Sequence, residues 1–257
     1  KDLTLHRKKP RNPWLFFYAK NSTNGEEIFS FNSEKSLAPA SNLKVVTSGA
    51  ALSILGEDFR FKTRIYHNGI ITPNGVLNGN IYIKGAGDPT LGSNQAKGSL
   101  SLEELLSLIE EQIRKMNIRK INGDIIADDL LYERHPIPDY WYWIDIGNYY
   151  GASNSALCIH ENLYYLDFKP GLTEGDPTEI HGTRPKLENF SFSNYVKTGA
   201  KGSGDNGYIY SAPFSNFAFL RGTVPAGVDT FTIKGAIPNP PLTFAQLDRK
   251  STRLNSS

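Results

Sequence analysis

The 257-residue sequence is short of cysteine, of charge imbalance and of long apolar runs, and each shortage excludes something. Its one cysteine, Cys158, rules out a disulfide within the chain and leaves the redox compartment open. Set among Ala156, Leu157 and Ile159, it reads as a small core residue. A net charge of +2 is too small to argue for nucleic acid or a strongly acidic partner. No apolar run approaches the roughly 20 residues of a membrane helix, so no transmembrane segment is expected; Trp14 to Ala19 is only strand-sized. The sequence opens at Lys1 without a signal peptide. His6, His67, His135, His160 and His181 are scattered without paired-ligand spacing, so no metal site is expected. The pattern G-x-S-x-G is absent. Gly202 to Gly207 matches G-x-G-x-x-G by letter, but Tyr208-Ile209-Tyr210 behind it reads as strand, where a dinucleotide site needs a helix. No cofactor follows, and no repeat has a solenoid period.

What is present is an ordinary globular composition, 39% hydrophobic and 21% charged, enough for a sizeable core. Residues 1–12 are basic and read as loosely held. Trp14 to Ala19 and Glu27 to Phe31 read as strands joined by the polar turn 21–25. Phe59 to Tyr66 alternates apolar and polar; turns at His67-Asn68-Gly69 and Pro73-Asn74-Gly75 lead to a strand over Val76 to Lys84. Ser101-Leu102-Glu103-Glu104 has the capping-box pattern and opens a helix with Leu102, Leu105, Leu106, Ile109, Ile113 and Met116 on one face. Ile121 to Ala127 follows as a strand. Further strands are expected at Ala156 to His160, Leu163 to Lys169, Tyr208 to Tyr210, Phe217 to Arg221 and Asp229 to Ala236. The order, helix-bearing first and mostly strand later, makes the fold class α+β.

One stretch organises the rest. After Pro39 and Ala40, the apolar residues Leu43, Val46, Ala50, Leu52 and Leu55 recur at helical spacing, and Gly56 closes the run as a C′ glycine would. Ser41 therefore sits at a helix N-terminus, with Lys44 one turn later on the same face. The unpaired N–H groups of that terminus favour negative charge on Ser41 or on an oxyanion beside it. A lysine so placed, once partly buried, can take the proton of the hydroxyl. The plainer alternative is an N-cap serine beside a solvated lysine, and S-x-x-K alone does not decide between them.

The surrounding residues carry a resemblance. Pro39-Ala40-Ser41-x-x-Lys44 followed by a small-residue helix resembles the active-site helix of penicillin-binding proteins and serine β-lactamases. Leu55 to Thr63 and Ile83 to Leu91 narrow this to the D-alanyl-D-alanine carboxypeptidase/endopeptidase family with a large inserted region, peptidase family S13. That resemblance implies a transpeptidase/β-lactamase-like domain carrying a large, mostly β insertion. Residues 1–66 would be its N-terminal part and 67–247 the insertion, in two subdomains. It further implies an acyl-enzyme on Ser41 with Lys44 as base, and peptidoglycan peptides ending in D-Ala-D-Ala as substrate. β-Lactams would inhibit, and the location would be periplasm or cell envelope.

Departures from the family pattern shape the remaining expectations. No S-x-N triplet lies between Lys44 and Lys197. Lys197-Thr198-Gly199 matches K-T-G by letter but leads into a glycine-rich loop, and we take it as structural rather than catalytic. Asp88 reads as a turn residue binding its own backbone. Tyr140 to Tyr150 is densely aromatic; such residues more often fill a core or a domain junction than stack on sugars. Asp248 to Ser257 resembles translated adapter sequence, so the chain reads as a C-terminally truncated fragment. Alone it should lack useful peptidase activity: Lys44 would be left solvated, and the apolar face of the Ser41 helix exposed. Two other readings stand beside this one, a non-catalytic glycan- or partner-binding module and a β-lactamase-type hydrolase. The long β-rich region after Thr63 argues against the latter.

Overall fold

In a computed structural model of the chain, residues 15–133 and 135–251 are described, residues 249–251 without their side chains. Segment 1–12, Trp14 and residues 252–257 lie outside the described residues. The chain divides into two compact units, Lys1–Phe59 and Arg60–Ser257. In the first, strands β1 (Phe17–Lys20) and β2 (Glu27–Phe31) form an antiparallel hairpin. Its turn is held by side chains: Asn21 Oδ1 accepts from the Thr23 N–H and Asn24 Oδ1 from the Glu26 N–H. A 3-10 turn, Ala40–Asn42, then leads into helix α1 (Leu43–Leu55). Gly56, at φ 78°, ends α1 by donating its N–H to Leu52 O.

The second unit begins with β3 (Arg64–His67), β4 (Ile70–Ile71), β5 (Val76–Asn78) and β6 (Ile81–Lys84), followed by helix α2 (Leu102–Lys115), β7 (Lys120–Asn122) and β8 (Ile125–Asp128). Alternation predicts single strands over 76–84 and 121–127, but each is broken in two. The sheet β4-β5-β7 takes the first halves and β3-β6-β8 the second. The breaks lie side by side, which is their cause. A Cβ on Gly123 would stand 2.1 Å from Gly79 O, while Asn80 Oδ1 accepts the Asp124 N–H at 2.9 Å. The capping box at α2 forms as the sequence implies. Ser101 Oγ accepts the Glu104 N–H, and Glu104 Oε2 accepts the Ser101 N–H at 2.8 Å. Leu105, Leu106, Ile109 and Ile113 are its buried face.

A four-residue helix, α3 (Trp143–Ile146), precedes β9 (Leu163–Lys169), β10 (Glu179–Arg184), β11 (Ser191–Asn194), β12 (Lys197–Gly199), β13 (Asn206–Tyr210), β14 (Phe217–Pro225), β15 (Phe231–Ala236) and helix α4 (Pro240–Ser251). Strands β10-β9-β15 make an antiparallel sheet. In a second sheet β14 takes β11 and β12 in parallel along one edge and β13 antiparallel along the other. The strand expected over 156–160 does not form. Leu157 makes one bridge to Asp88, and the chain then turns through left-handed backbone at His160, Glu161 and Asn162. One contiguous core joins α2, the sheets and Phe244 of α4, with Leu77, Ile83, Leu166, Phe168, Ile209 and Leu220 wholly buried. Each such side chain is worth about 1.5–3 kcal/mol relative to exposure. Cys158 is buried at the edge of this core as the sequence suggests, and burial pushes its thiol up from its ordinary value.

Candidate active site

Ser41 lies in the 3-10 turn that begins the first unit's helical segment, two residues before α1 proper. One helical turn later Lys44 reaches back, and its Nζ donates to Ser41 Oγ at 3.0 Å. The two sequence-predicted residues are therefore in direct contact. Ala40, immediately before Ser41, adopts φ 45°, a left-handed conformation that costs a non-glycine residue about 1–3 kcal/mol. The helix behind is built from Thr47, Ser48, Gly49, Ala50 and Ala51, small enough for another element to approach closely. None of its residues is buried; on the apolar face anticipated to be exposed, Val46 and Leu52 are 65% and 62% exposed.

Chemically the pair can exchange a proton. Nζ as a neutral amine, in the same position, would accept the hydroxyl proton and leave an alkoxide able to attack a carbonyl. Two S-x-N triplets precede the pair, and each spends its asparagine side chain locally. Asn24 of Ser22-Thr23-Asn24 caps the hairpin turn. The sequence reading passed over Ser30-Phe31-Asn32. There Ser30 Oγ meets Ser33 Oγ at 2.7 Å, and Asn32 Nδ2 donates to Leu15 O.

Lys197-Thr198-Gly199 differs from its sequence expectation in one respect: it is a strand, β12, paired with Thr223 to Pro225 of β14. The register of a three-residue strand before a glycine-rich turn cannot be seen from alternation. Its hydrogen bonds agree with a structural role. Thr198 Oγ1 accepts the Gly171 N–H at 2.8 Å, its N–H donates to Asp176 O, and its carbonyl accepts from Gly175. Thr198 is thus the buried clasp of the 171–176 loop. Gly202 to Gly207 runs into strand β13, so no helix N-terminus faces a phosphate there. Asp88 is the turn residue expected, accepting from the N–H and hydroxyl of Thr90.

Of the two roles expected for the aromatic stretch, core and domain junction, the first is overturned. Tyr140, Tyr142, Trp143, Tyr149 and Tyr150 are exposed instead of filling a core. What anchors the stretch is polar. Asn148, buried, donates from Nδ2 to Ile144 O at 2.6 Å and accepts the Ile209 N–H on Oδ1 at 3.1 Å. Gly147 beside it fits against β13 because a Cβ there would lie 2.2 Å from Ile209 O. Burial and the Asp145 carboxylate both push the Tyr150 hydroxyl above its ordinary range. Among the described residues no helix is long and apolar enough to cross a membrane.

The chain is similar to known proteins. The chain is 32% identical over 177 residues to the D-alanyl-D-alanine carboxypeptidase DacB of Haemophilus influenzae, covering 69% of this chain and 35% of that protein. It is 28% identical over 229 residues to a D-alanyl-D-alanine carboxypeptidase of Actinomadura, covering 86% and 40% respectively. The fold matches the crystal structure of penicillin binding protein 4 (dacB) from Haemophilus influenzae with a TM-score of 0.72 at 24% identity, over 92% of this chain and 49% of that one. The same protein complexed with a β-lactam gives a TM-score of 0.65 at 22% identity, over 92% and 47%. The chain thus spans well under half the length of these curated relatives. A sequence profile for the D-Ala-D-Ala carboxypeptidase 3 (S13) family matches residues 3–254, and the chain belongs to that family.

Proposed function

We propose that this chain carries the nucleophile and base of a serine-type D-Ala-D-Ala carboxypeptidase/endopeptidase acting on peptidoglycan peptides in the cell envelope. The observation that carries the reading is the 3.0 Å contact from Lys44 Nζ to Ser41 Oγ behind Pro39-Ala40. Ser41 Oγ attacks the carbonyl carbon of the penultimate D-alanine while its proton passes to Lys44 Nζ. The tetrahedral intermediate collapses, the C–N bond breaks, and the terminal D-alanine leaves with a proton on its amine. Water then attacks the ester, giving the shortened peptide and free Ser41. A β-lactam offers a strained amide in the same place, but ring opening leaves no departing fragment, so the acyl-enzyme persists.

In this reading residues 1–66 belong to the transpeptidase-like domain and 67–247 to its insertion. No S-x-N serine follows Lys44 to return the proton to the leaving amine, so the 257 residues by themselves should turn over poorly. A fluorescent β-lactam tests the assignment. The chain should label slowly, Ser41→Ala should not label, and Lys44→Ala should label about 10²–10⁴-fold more slowly. D-Alanine release from a D-Ala-D-Ala peptide should stay near the Ser41→Ala background. Labelling unchanged in either variant would discard the assignment.

A further inference from the structure

The sheet built on β14 has one face in the core and one in solvent, and the solvent face has the wrong composition for mere exposure. Inward go Ala218, Leu220, Val224 and Ile209, all wholly buried. Outward positions of an antiparallel pair are ordinarily polar. Here the cross-strand pairs on the outer face are Tyr208 with Arg221 and Tyr210 with Phe219. Residues directly opposite share a face, so these four side chains lie together. Phe217 packs edge-on to Phe219 with centroids 4.7 Å apart, and Trp143 adds a ring 6.3 Å from Tyr210. At the other side the Arg221 guanidinium lies over the Tyr195 ring at 5.9 Å. Tyr195 is 58% exposed and Phe219 43%. With strands about 4.8 Å apart and alternate residues about 6.8 Å along a strand, the rings line one continuous strip, Phe217 and Phe219 standing at 86° to one another.

The chemistry of the strip selects its partner. It carries no leucine, isoleucine or valine at these outward positions, which a protein core cut in half would supply. Its rings alternate with tyrosine hydroxyls and the Ser191 and Ser193 side chains of β11, which pair in register with Phe217 and Phe219. Exposed aromatic surface interleaved with hydrogen-bonding groups suits pyranose rings, whose C–H faces stack on a ring and whose hydroxyls need partners. Arg221 is the charge among these ring positions, with Lys197 of β12 opposite Thr223 farther along the same outer face, and both complement a carboxylate. We propose that this face is a platform for an anionic amino-sugar polymer, the peptide-free glycan strand of the cell wall, with Arg221 pairing a muramyl carboxylate that amide cleavage has freed. The choice of polymer rests on the wall-peptide reading of Ser41 and Lys44; the platform itself does not.

The test uses the whole chain and glycan strands freed of their peptides by amidase, with oligomers of N-acetylglucosamine as the uncharged probe. The parent should bind both. Tyr208→Ala with Phe219→Ala should weaken both about tenfold, and Tyr195→Ala, outside the strand ladder, should weaken them less. Arg221→Gln should weaken only the muramyl strands, and added salt should erase that difference. Urea midpoints within error of the parent would show that the variants fold. Equal binding by parent and variants, or no binding by the parent, overturns the proposal. So does a dimer of the parent that the same substitutions dissolve, which would make a second copy the occupant. Ser41→Ala keeps the platform, so lost β-lactam labelling with retained glycan binding separates failure of one reading from failure of the other.

Discussion

Asn148→Ala is expected to be among the most damaging single substitutions outside the apolar core. β13 is an edge strand: its partner β14 lies on one side, and at Ile209 the outward N–H meets a side-chain amide instead of another strand. Asn148 imitates a neighbouring strand there, accepting the Ile209 N–H at 3.1 Å and, more weakly, donating to Ile209 O at 3.5 Å. It also donates to Ile144 O at 2.6 Å, which fixes the aromatic stretch. Ile209 is wholly buried and Asn148 nearly so, so water cannot replace what is lost. The bond to Ile144 O is worth about 1 kcal/mol, and the buried Ile209 N–H left without its acceptor costs about 1–3 kcal/mol; together the loss should be about 2–4 kcal/mol. Urea unfolding gives the stability change, and amide exchange at Ile209 gives a local reading: 2 kcal/mol is about 30-fold faster exchange. Tyr140→Ala, at a residue 94% exposed, should lie within about 0.5 kcal/mol of the parent. An Asn148→Ala loss below about 0.5 kcal/mol, with Ile209 exchange unchanged, would refute the reasoning.

Other expectations follow from side-chain pairs at the surface. Ser101→Ala should destabilise α2 by about 1 kcal/mol, seen as a lowered urea midpoint with an unchanged slope. The residue-101 N–H, present in parent and variant alike, is the main group holding the Glu104 carboxyl below its ordinary range, so both should lose that contribution on acidification while the difference between them persists. Asp167 accepts two bonds from Arg184 at 2.8 Å each, and that pairing lowers its carboxyl below 3.8. The stability gained is present above that value and lost as pH falls through the lower folded-state value. Parent and Asp167→Asn should therefore differ by a constant amount from neutrality to about pH 4 and converge below it, read by urea titration at each pH. Arg184 is largely exposed, so the constant difference should be no more than about 1 kcal/mol.

Much of the architecture was legible because the local signals are strong and independent of the rest of the fold. Ser101 and Glu104 announce a helix start, Gly56 a helix end, and Asn21 to Gly25 a hairpin; each forms where the sequence places it. The pairing of Ser41 with Lys44 follows from helical geometry alone. What the sequence hid depends on partners distant along the chain. The breaks at Gly79 and Gly123 exist because those two segments lie side by side, and alternation within either one does not show it. Strands β10, β11 and β12 carry Gly, Ser and Lys in place of a regular apolar period and escaped notice. A core role for the aromatic stretch fails because ring count suggests burial, whereas Asn148 anchors the segment and leaves the rings outside. The outer face of β13 and β14 becomes visible only once Tyr208 is paired with Arg221 and Tyr210 with Phe219.

The most direct measurement is the site of acylation. The chain is incubated to completion with a β-lactam, digested, and every serine-containing peptide is weighed. The mass of the intact β-lactam should appear on the peptide holding Ser41 and vanish in Ser41→Ala. An adduct on any other residue, an adduct that survives Ser41→Ala, or no adduct after prolonged incubation would contradict Ser41 as the nucleophile and Lys44 as its base.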